Sequence, residues 1–496
     1  MELNARPYNN KVGLLFPAYL ADFLPEGHLA YLIDEVVNSL DLSALYRKVS
    51  PVGNPSYHPL LMVKVLFYAY AVGLYSSRKI ARALETDVAF MFLAGFERPD
   101  FRTISDFRKN NLAELRDIFK QIVAICYSLG MVELGNIVID GTVIKANASV
   151  ARTYDAERIE REIKGILVAA TKIDEAEDKE LGVEARGGEL PEPLRKRKER
   201  LERLRAVMVK EGKGKINLTD PDANIQKLKG KKEPGYRFEA LLDKKERVMV
   251  ACDTTDEQAD NKRLLPVLEQ LEENLPLVVA AKGDGEIKLS GDCGVGGLDN
   301  LKALAARPKY NGFIPDSQFQ AQERGKLTKE DEPFHRNKFS YVSSGDYFIC
   351  PDGEVLLFKG ERKDRGKECR VFQAADGVCR SCQYFGLCTK NKRGREIYLP
   401  KDEHLIEAMR EKLRGAEGRA ILKERKAIIE LVFGDIKFNR KFIMFLLRGL
   451  RKVRGEGFLL GIVHNLLRIY HYLRRCDKGI KEMLAMRVAE IGEVVG

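Results

Sequence analysis

The sequence predicts an α/β fold, a mixed sheet flanked by helices, with a helical domain in front and two interruptions, a helical hairpin and a small cysteine-rich segment. Three observations predict it. Short runs rich in Val, Ile and Leu alternate with helical stretches between about residues 136 and 320, the order that builds α/β sheets. Apolar residues recur at helical spacing before and after that region. Hydrophobic residues make up 45% of the 496 and aromatic ones 8%, enough for a large core shared among several domains.

From Pro25 to about Gly130 the pattern is helical: HLAYLIDEVVNSL, PLLMVKVLFYAYAVGLY and SSRKIARALETDVAFMFLAG, punctuated by Pro, Gly and Ser. Ser76 and Ser77 stand where the cap of a helix beginning near Arg78 belongs. Helices meeting at GLYSS suit either a helix-turn-helix, with Arg78, Lys79, Arg102, Arg108 and Lys109 along a basic edge, or a bundle that never touches DNA. In NIVIDGTVIKANAS, Ile137–Ile139 read as a short buried strand that Asp140-Gly141 ends as a turn. Charged residues with Leu and Ile at helical spacing predict an inserted helical hairpin over about 152–214, broken at GGELPEP. YRFEALLD and RVMVACDTT read as strands, NKRLLPVLEQLEENL as a helix, EIKLSGD as a weaker strand ending near Asp292, and NGFIPDS as one more short strand. The implied division is a helical domain over 1–130 and the first part of the α/β core over 131–321. A cysteine-rich insertion over 322–400, the rest of the core over 401–476 and a tail over 477–496 complete it.

A formal charge of +11 favours a polyanionic partner, nucleic acid ahead of a membrane surface. No apolar run approaches the roughly 20 residues that span a bilayer. The start, MELNARPYNNK, lacks the basic residues and apolar core of a signal peptide. Nine cysteines in a long chain do not make a secreted disulfide framework. These features predict a cytoplasmic protein with no membrane partner. No G-x₄-G-K-S/T loop occurs, so no nucleotide cofactor is expected.

One stretch, RKAIIELVFGDIKFNRK, places Glu430 among apolar residues. On a helical wheel Lys423, Lys426, Lys437 and Lys441 fall within roughly 40° of Glu430, while Ile428, Ile429, Leu431 and Val432 turn away. This is either a solvated face tied by i,i+4 pairs such as Lys426–Glu430, or an acid that holds a metal among bases that hold phosphates. Asp140 and Asp292, each read at a strand end, are turn formers when taken singly. Functional groups of α/β sheets gather outside strand ends, however, and two strand-end aspartates with a helical glutamate can supply hard oxygen ligands to Mg²⁺. Two such ions can activate a nucleophile and stabilise the leaving oxygen of a phosphoryl displacement. Asp284 and Asp260 are the nearest rivals to Asp292: Asp284 precedes the expected strand and Asp260 opens a helix.

Four segments, YHPLLMVKVLFYAYAVGLYSSRKIARALETDVAFMFLAGFERPDFRTISDFRK, IVIDGTVIKANAS, GDCGVGGLDNLKAL and ERKAIIELVFGDIKFNRKFIMFLLRGLRKVRGEGFLLGIVHNLLRIY, resemble bacterial insertion-sequence transposases of the DDE class, in order and over nearly the whole chain. The resemblance implies an RNase H-like core in which Asp140, Asp292 and Glu430 hold two Mg²⁺ (or Mn²⁺) ions. Lys437 matches the lysine of a Y-x₂-R-x₃-E-x₆-K signature. Arg425, Lys426 and Lys441, with Arg78, Lys79, Arg102 and Arg108, are the expected DNA contacts. It further implies double-stranded DNA partners, terminal inverted repeats and target, with a homodimer in the synaptic complex and a nucleoid-associated location. A cleavage-inactive DNA-binding remnant and a nuclease without strand transfer are the alternatives. The chain departs from the pattern at three places: Lys423 stands for the signature tyrosine, Lys426 for the arginine with Arg425 one residue out of register, and Val295 for the tyrosine after the second aspartate.

Cys350, Cys379, Cys382 and Cys388 give C-x₂₈-C-x₂-C-x₅-C, in which the C-x₂-C pair is a recurrent zinc half-site. Structural zinc and free thiols both fit this spacing, with Cys369 as a substitute ligand. Cys126, Cys252, Cys293 and Cys476 read as ordinary buried or neutral positions. His335 and His464 read as structural.

Overall fold

The computed structural model describes residues 19–476, apart from 51, 53–54, 182–189, 229, 257–262, 327–328 and 365–366. Asp260, part of the GGELPEP break and the expected tail lie outside the described residues. Among the described residues no helix is long and apolar enough to cross a membrane.

The helical domain comprises α1 (Leu29–Asn38), α2 (Pro59–Ala71), α3 (Ser77–Thr86), α4 (Val88–Ala94), α5 (Phe101–Asn110) and α6 (Glu114–Ser128). Local chemistry starts and stops them. Pro59 opens α2, where its missing N–H costs nothing, behind a His58 ring that accepts the Leu60 N–H. Asp87 caps α4 by accepting from the Ala89 and Phe90 N–H groups, and Gly95, at φ 57°, ends that helix in the left-handed conformation. Asp100 caps α5 through the Thr103 N–H at 2.7 Å. α2 is apolar on nearly every side and correspondingly buried, with Met62, Val63, Val65, Leu66 and Phe67 inside. Ser76 is the N-cap residue of α3 as expected, although its side chain makes no capping bond.

The core sheet is built from β1 (Asn136–Lys145), β2 (Asn224–Leu228), β3 (Lys231–Asp243), β4 (Met249–Thr255), β5 (Ile287–Ser290) and β6 (Tyr310–Phe313). Its central order is β4-β3-β1-β5-β6, with β2 paired to the first half of β3. β4, β3 and β1 run antiparallel; β1, β5 and β6 run parallel. Between β1 and β2 lie the long helices α7 (Ala156–Leu181) and α8 (Glu192–Glu211), which pack on each other around Ile159, Ile166, Leu201 and Leu204, as expected of a hairpin. α9 (Leu264–Asn274) returns the chain to β5, and α10 (Leu298–Ala305) leads to β6.

The Asp140-Gly141 turn is corrected. β1 runs straight through it, with Asp140 opposite Ala240, Gly141 opposite Glu239 and pairing continuing to Lys145 opposite Gly235. Asp-Gly is a favoured turn pair only where no neighbour offers a ladder, and β3 offers one along the whole length. Glycine is needed here for room: a Cβ on Gly141 would fall far inside contact distance of the Glu239 carboxylate.

The stretch expected as a cysteine-rich insertion holds a second sheet, β7 (Ser340–Val342), β8 (Tyr347–Ile349), β9 (Val355–Asp364), β10 (Lys367–Ala374) and β11 (Glu396–Pro400), in simple antiparallel order. Its own core is small: Phe339, Phe348, Leu356, Phe372, Ala374 and Ile397. Three helices follow, α11 (Glu403–Arg414), α12 (Ala416–Gly434) and α13 (Leu450–Cys476). α12 lies over β1, β5 and β6, while α13 lies against α2, α6 and β4. Asn465 of α13 pairs both its amide atoms with the backbone of Met249 at the start of β4, at 2.8 and 2.9 Å, so the helix supplies a buried partner to that strand. Glu456, fully buried on α13, accepts from the Tyr70 hydroxyl at 2.8 Å and from the Leu446 and Leu447 N–H groups, joining the helical domain to the end of the chain.

Candidate active site

Asp140 sits at the fifth of ten residues in β1, and Asp292 lies two residues beyond the end of β5. Register brings them together. Val138 pairs with Ser290 across the parallel strands, so both aspartates follow the same rung by two residues, close enough for the charge of one to act on the other. Each carboxylate accepts a nearby backbone N–H, Asp140 from Gly141 at 2.7 Å and Asp292 from Gly294 at 3.0 Å. Burial pushes the Asp140 carboxyl up, the Asp292 charge adds to that rise, and Arg425 and the Gly141 N–H oppose it. Asp284, by contrast, is exposed in the turn before β5, away from this pair.

α12 contributes differently from the wheel drawn on the sequence. Ile428, Ile429 and Val432 face inward as expected, but Leu431 is 57% exposed. The α-helix ends at Gly434; a π-turn over Asp435–Asn439 follows, and Lys441 has φ 57°. Lys437 and Lys441 therefore do not continue the stripe of Lys423, Lys426 and Glu430, because the rotation per residue changes at Gly434. Lys437 instead reaches back to β1, donating to Thr142 Oγ1 and, at 2.9 Å, to the Val143 carbonyl. Arg425, expected at the DNA surface, is buried and donates to Asp140 Oδ2 at 2.8 Å. Its wheel position is the reason: it is three, four and seven residues before Ile428, Ile429 and Val432, on the apolar face. Glu430 is exposed on α12 between these two anchors. Among the described residues no group of three or more His, Cys, Asp or Glu side chains stands ready to hold a metal ion, so Glu430 does not complete a cage with the two aspartates.

Sequence reading missed one member of the neighbourhood. Glu239 of β3, 2% exposed, lies beside Gly141 and is held by Arg263 and, at 3.0 Å, by Arg237. Burial pushes its carboxyl up against the pull of both guanidinium groups, and the Asp140 charge adds a little more. The available signal was the pairing itself, since an acid opposite a glycine in the neighbouring strand has room to turn toward it. Cys293 donates its thiol to Gln320 at 3.2 Å, and Val295 is buried against the neighbourhood of Gly291.

Of the other basic residues, Arg78, Lys79, Arg102, Lys426 and Lys441 are exposed. Arg108 is not. It is 5% exposed and donates to the Tyr70 hydroxyl, the Tyr75 carbonyl and Ser77 Oγ. It lies four residues after buried Ile104, which places it on the inner face of α5 and corrects the expectation of a surface contact.

Residues 18–110 match the family model of a transposase domain (DUF772), and residues 349–470 match that of a transposase DDE domain. These matches take in α1 to α5 of the helical domain and the segment bearing Glu430. Together the two matches support an insertion-sequence transposase of the DDE class. Asp140 and Asp292 lie between the matched segments, so their pairing rests on strand register and mutual electrostatics and not on these matches. No curated protein and no solved structure gives a match.

Proposed function

We propose that this transposase binds the terminal inverted repeats of its element, hydrolyses a phosphodiester at each end and joins the freed 3′-hydroxyl to target DNA. The observation that carries the reading is the shared rung of the parallel strands β1 and β5 from which Asp140 and Asp292 each follow by two residues, beneath a helix that bears Glu430 and is tied to β1 by Arg425 and Lys437. The strand order, three antiparallel strands continued by a parallel run, supports an RNase H-like core.

Two neighbouring carboxylates whose charges oppose each other are a donor set that a divalent cation relieves, and Asp140 and Asp292 fit it. Glu430 is the proposed third donor. Bound Mg²⁺ or Mn²⁺ would supply charge stabilisation at the attacking and leaving oxygens. The chain's own groups do the rest. Arg425 compensates the Asp140 charge; Lys437 fixes the end of α12 against β1. Exposed Lys426 and Lys441 are proposed to hold phosphates, which positions DNA without reading its sequence. An open groove of about 500 Å³ at the far end of β1, lined by Lys145, Asn147, Arg152 and Arg448 among others, offers further cations along the same path. Joining two ends calls for two copies of the chain in the synaptic complex.

A second reading, a binding-competent remnant that no longer cleaves, is favoured by the Arg425–Asp140 ion pair and by the exposed seat of Glu430. One experiment separates the two: Mg²⁺-dependent cleavage and joining of a duplex carrying the element's own terminal repeat, with the intact protein and with Glu430→Gln. Cleavage lost in Glu430→Gln with DNA binding kept supports the enzyme. Equal cleavage by both removes Glu430 from the site, and binding without cleavage by either supports the remnant.

A further inference from the structure

The second sheet has a core cluster of only six buried residues, little apolar burial with which to hold itself. Four cysteines gather at one side of it. Cys350 follows β8 in the tight turn Cys350-Pro351-Asp352-Gly353-Glu354, closed by the Gly353 N–H to the Cys350 carbonyl at 2.9 Å and the Cys350 N–H to the Glu354 carbonyl at 2.8 Å. Cys379 lies within a single helical turn, Val378–Ser381, Cys382 follows it directly, and Cys388 lies in the loop after it. All four line one small cavity of about 30 Å³ with Phe334, Phe339, Leu356 and Tyr384, room for a single ion. Cys369, the alternative ligand on sequence spacing, is buried in β10 and does not line it.

The sulfurs are already dressed with donors. Glu354 N–H donates to Cys350 Sγ at 3.2 Å, Arg395 N–H to Cys379 Sγ at 3.3 Å and Tyr384 N–H to Cys382 Sγ at 3.4 Å. A neutral thiol sulfur is a weak acceptor, whereas backbone N–H groups aimed at sulfur offset the charge of a thiolate bound to a cation. Arg395 donates to the Cys388 carbonyl at 3.0 Å, which sets a guanidinium beside the cluster. The nine cysteines are all free, so no disulfide competes for these four.

We infer that Cys350, Cys379, Cys382 and Cys388 form a structural zinc site that staples the β8–β9 turn to the loop before β11. On binding, four S–H groups release their protons to solvent and four Zn–S bonds form with no change of oxidation state. The thiols as they stand are not at ligating separations, so binding requires them to close on the ion within the cavity they share. Cys382 then gives up the hydrogen bond that it now donates to Asp352 at 3.2 Å. The inference is independent of the DNA chemistry proposed above, because the cavity lies in the other sheet.

The test uses the full-length protein, purified without chelator and loaded with zinc alone, with metal per chain read by atomic emission. About one zinc per chain is expected for a single tetrahedral Cys₄ site. Cys379→Ser with Cys382→Ser should lose it, and Cys369→Ser should keep it. Since the double variant can fail to fold, Co²⁺ is also titrated into the intact protein, where thiolate-to-cobalt charge-transfer bands and tetrahedral d–d bands saturating at one equivalent are expected. Substoichiometric zinc together with absent cobalt bands in the intact protein overturns the site, and retention of zinc by a folded double variant overturns these ligands.

Discussion

Replacing Gly141 by alanine tests the strand that carries Asp140. If Asp140-Gly141 were a turn open to solvent, one methyl would matter little. In the observed ladder, a Cβ at 141 points into the Glu239 carboxylate, whose side chain is 3% exposed and bound by Arg263, itself 4% exposed, and by Arg237. Either the strands part or the acid moves off its partners. Overpacking costs about 1–3 kcal/mol and loss of one member of a buried ion pair about 3–5 kcal/mol. A displaced acid that is not deleted should cost about 2–4 kcal/mol between these limits. Alanine returns roughly 0.4–1 kcal/mol by restricting the unfolded chain. The net expectation is a loss of about 1–3 kcal/mol. Urea unfolding followed by tyrosine fluorescence reads it, since the chain has 18 tyrosines and no tryptophan. In a Glu239→Ala background the clash has no partner, so adding Gly141→Ala should then leave only the unfolded-chain gain, a stabilisation of roughly 0.4–1 kcal/mol. A wild-type-like midpoint for Gly141→Ala alone would refute the strand-through geometry.

Arg108→Met should cost about 3–5 kcal/mol, because Glu456 and Tyr70 stay buried without their cation, while DNA affinity of the folded fraction is unchanged. Arg78→Ala with Lys79→Ala should do the reverse, leaving the unfolding midpoint within about 0.5 kcal/mol and lowering the salt slope of DNA binding by up to about two ions. Burial pushes the His464 ring down to about 3 from 6.5, with its Nε2 against the Arg247 carbonyl at 2.7 Å. The unfolded chain therefore binds the extra proton between these values, and stability should fall as pH drops from 6.5 toward 3, by up to about 1.4 kcal/mol per unit from this group. His464→Gln should flatten that window, and an unchanged slope in acid-titrated urea midpoints would count against a neutral buried ring. Lys437→Met should release the end of α12 from Thr142 and Val143, seen as faster amide exchange at Val143 and weaker end cleavage; unaltered exchange would mean that the lysine anchors nothing.

The sequence alone determined the order of the main helices and of most core strands, though not the strand Asn224–Leu228 or the second sheet, because those elements were written in local periodicity and punctuation: Pro59 opening a helix, Asp87 and Asp100 capping two more, and the Val/Ile runs of β1 and β4. It also singled out Asp140, Asp292 and Glu430 as acids to watch, and the four cysteines that share a cavity. Tertiary structure alone decided how these residues meet. Whether Asp140-Gly141 turns or continues depends on β3, which lies almost 100 residues away and supplies the missing ladder. Which arginines are surface and which are structural depends on the wheel only after the packed face is known, so Arg108 and Arg425 went inward with Ile104 and Ile428. The π-turn after Gly434 has no local signature and redirects Lys437 onto β1. Short-range rules fix the elements; partners brought close by folding fix what each charged group faces, because a buried charge is held by whatever opposite charge or dipole the packing sets beside it.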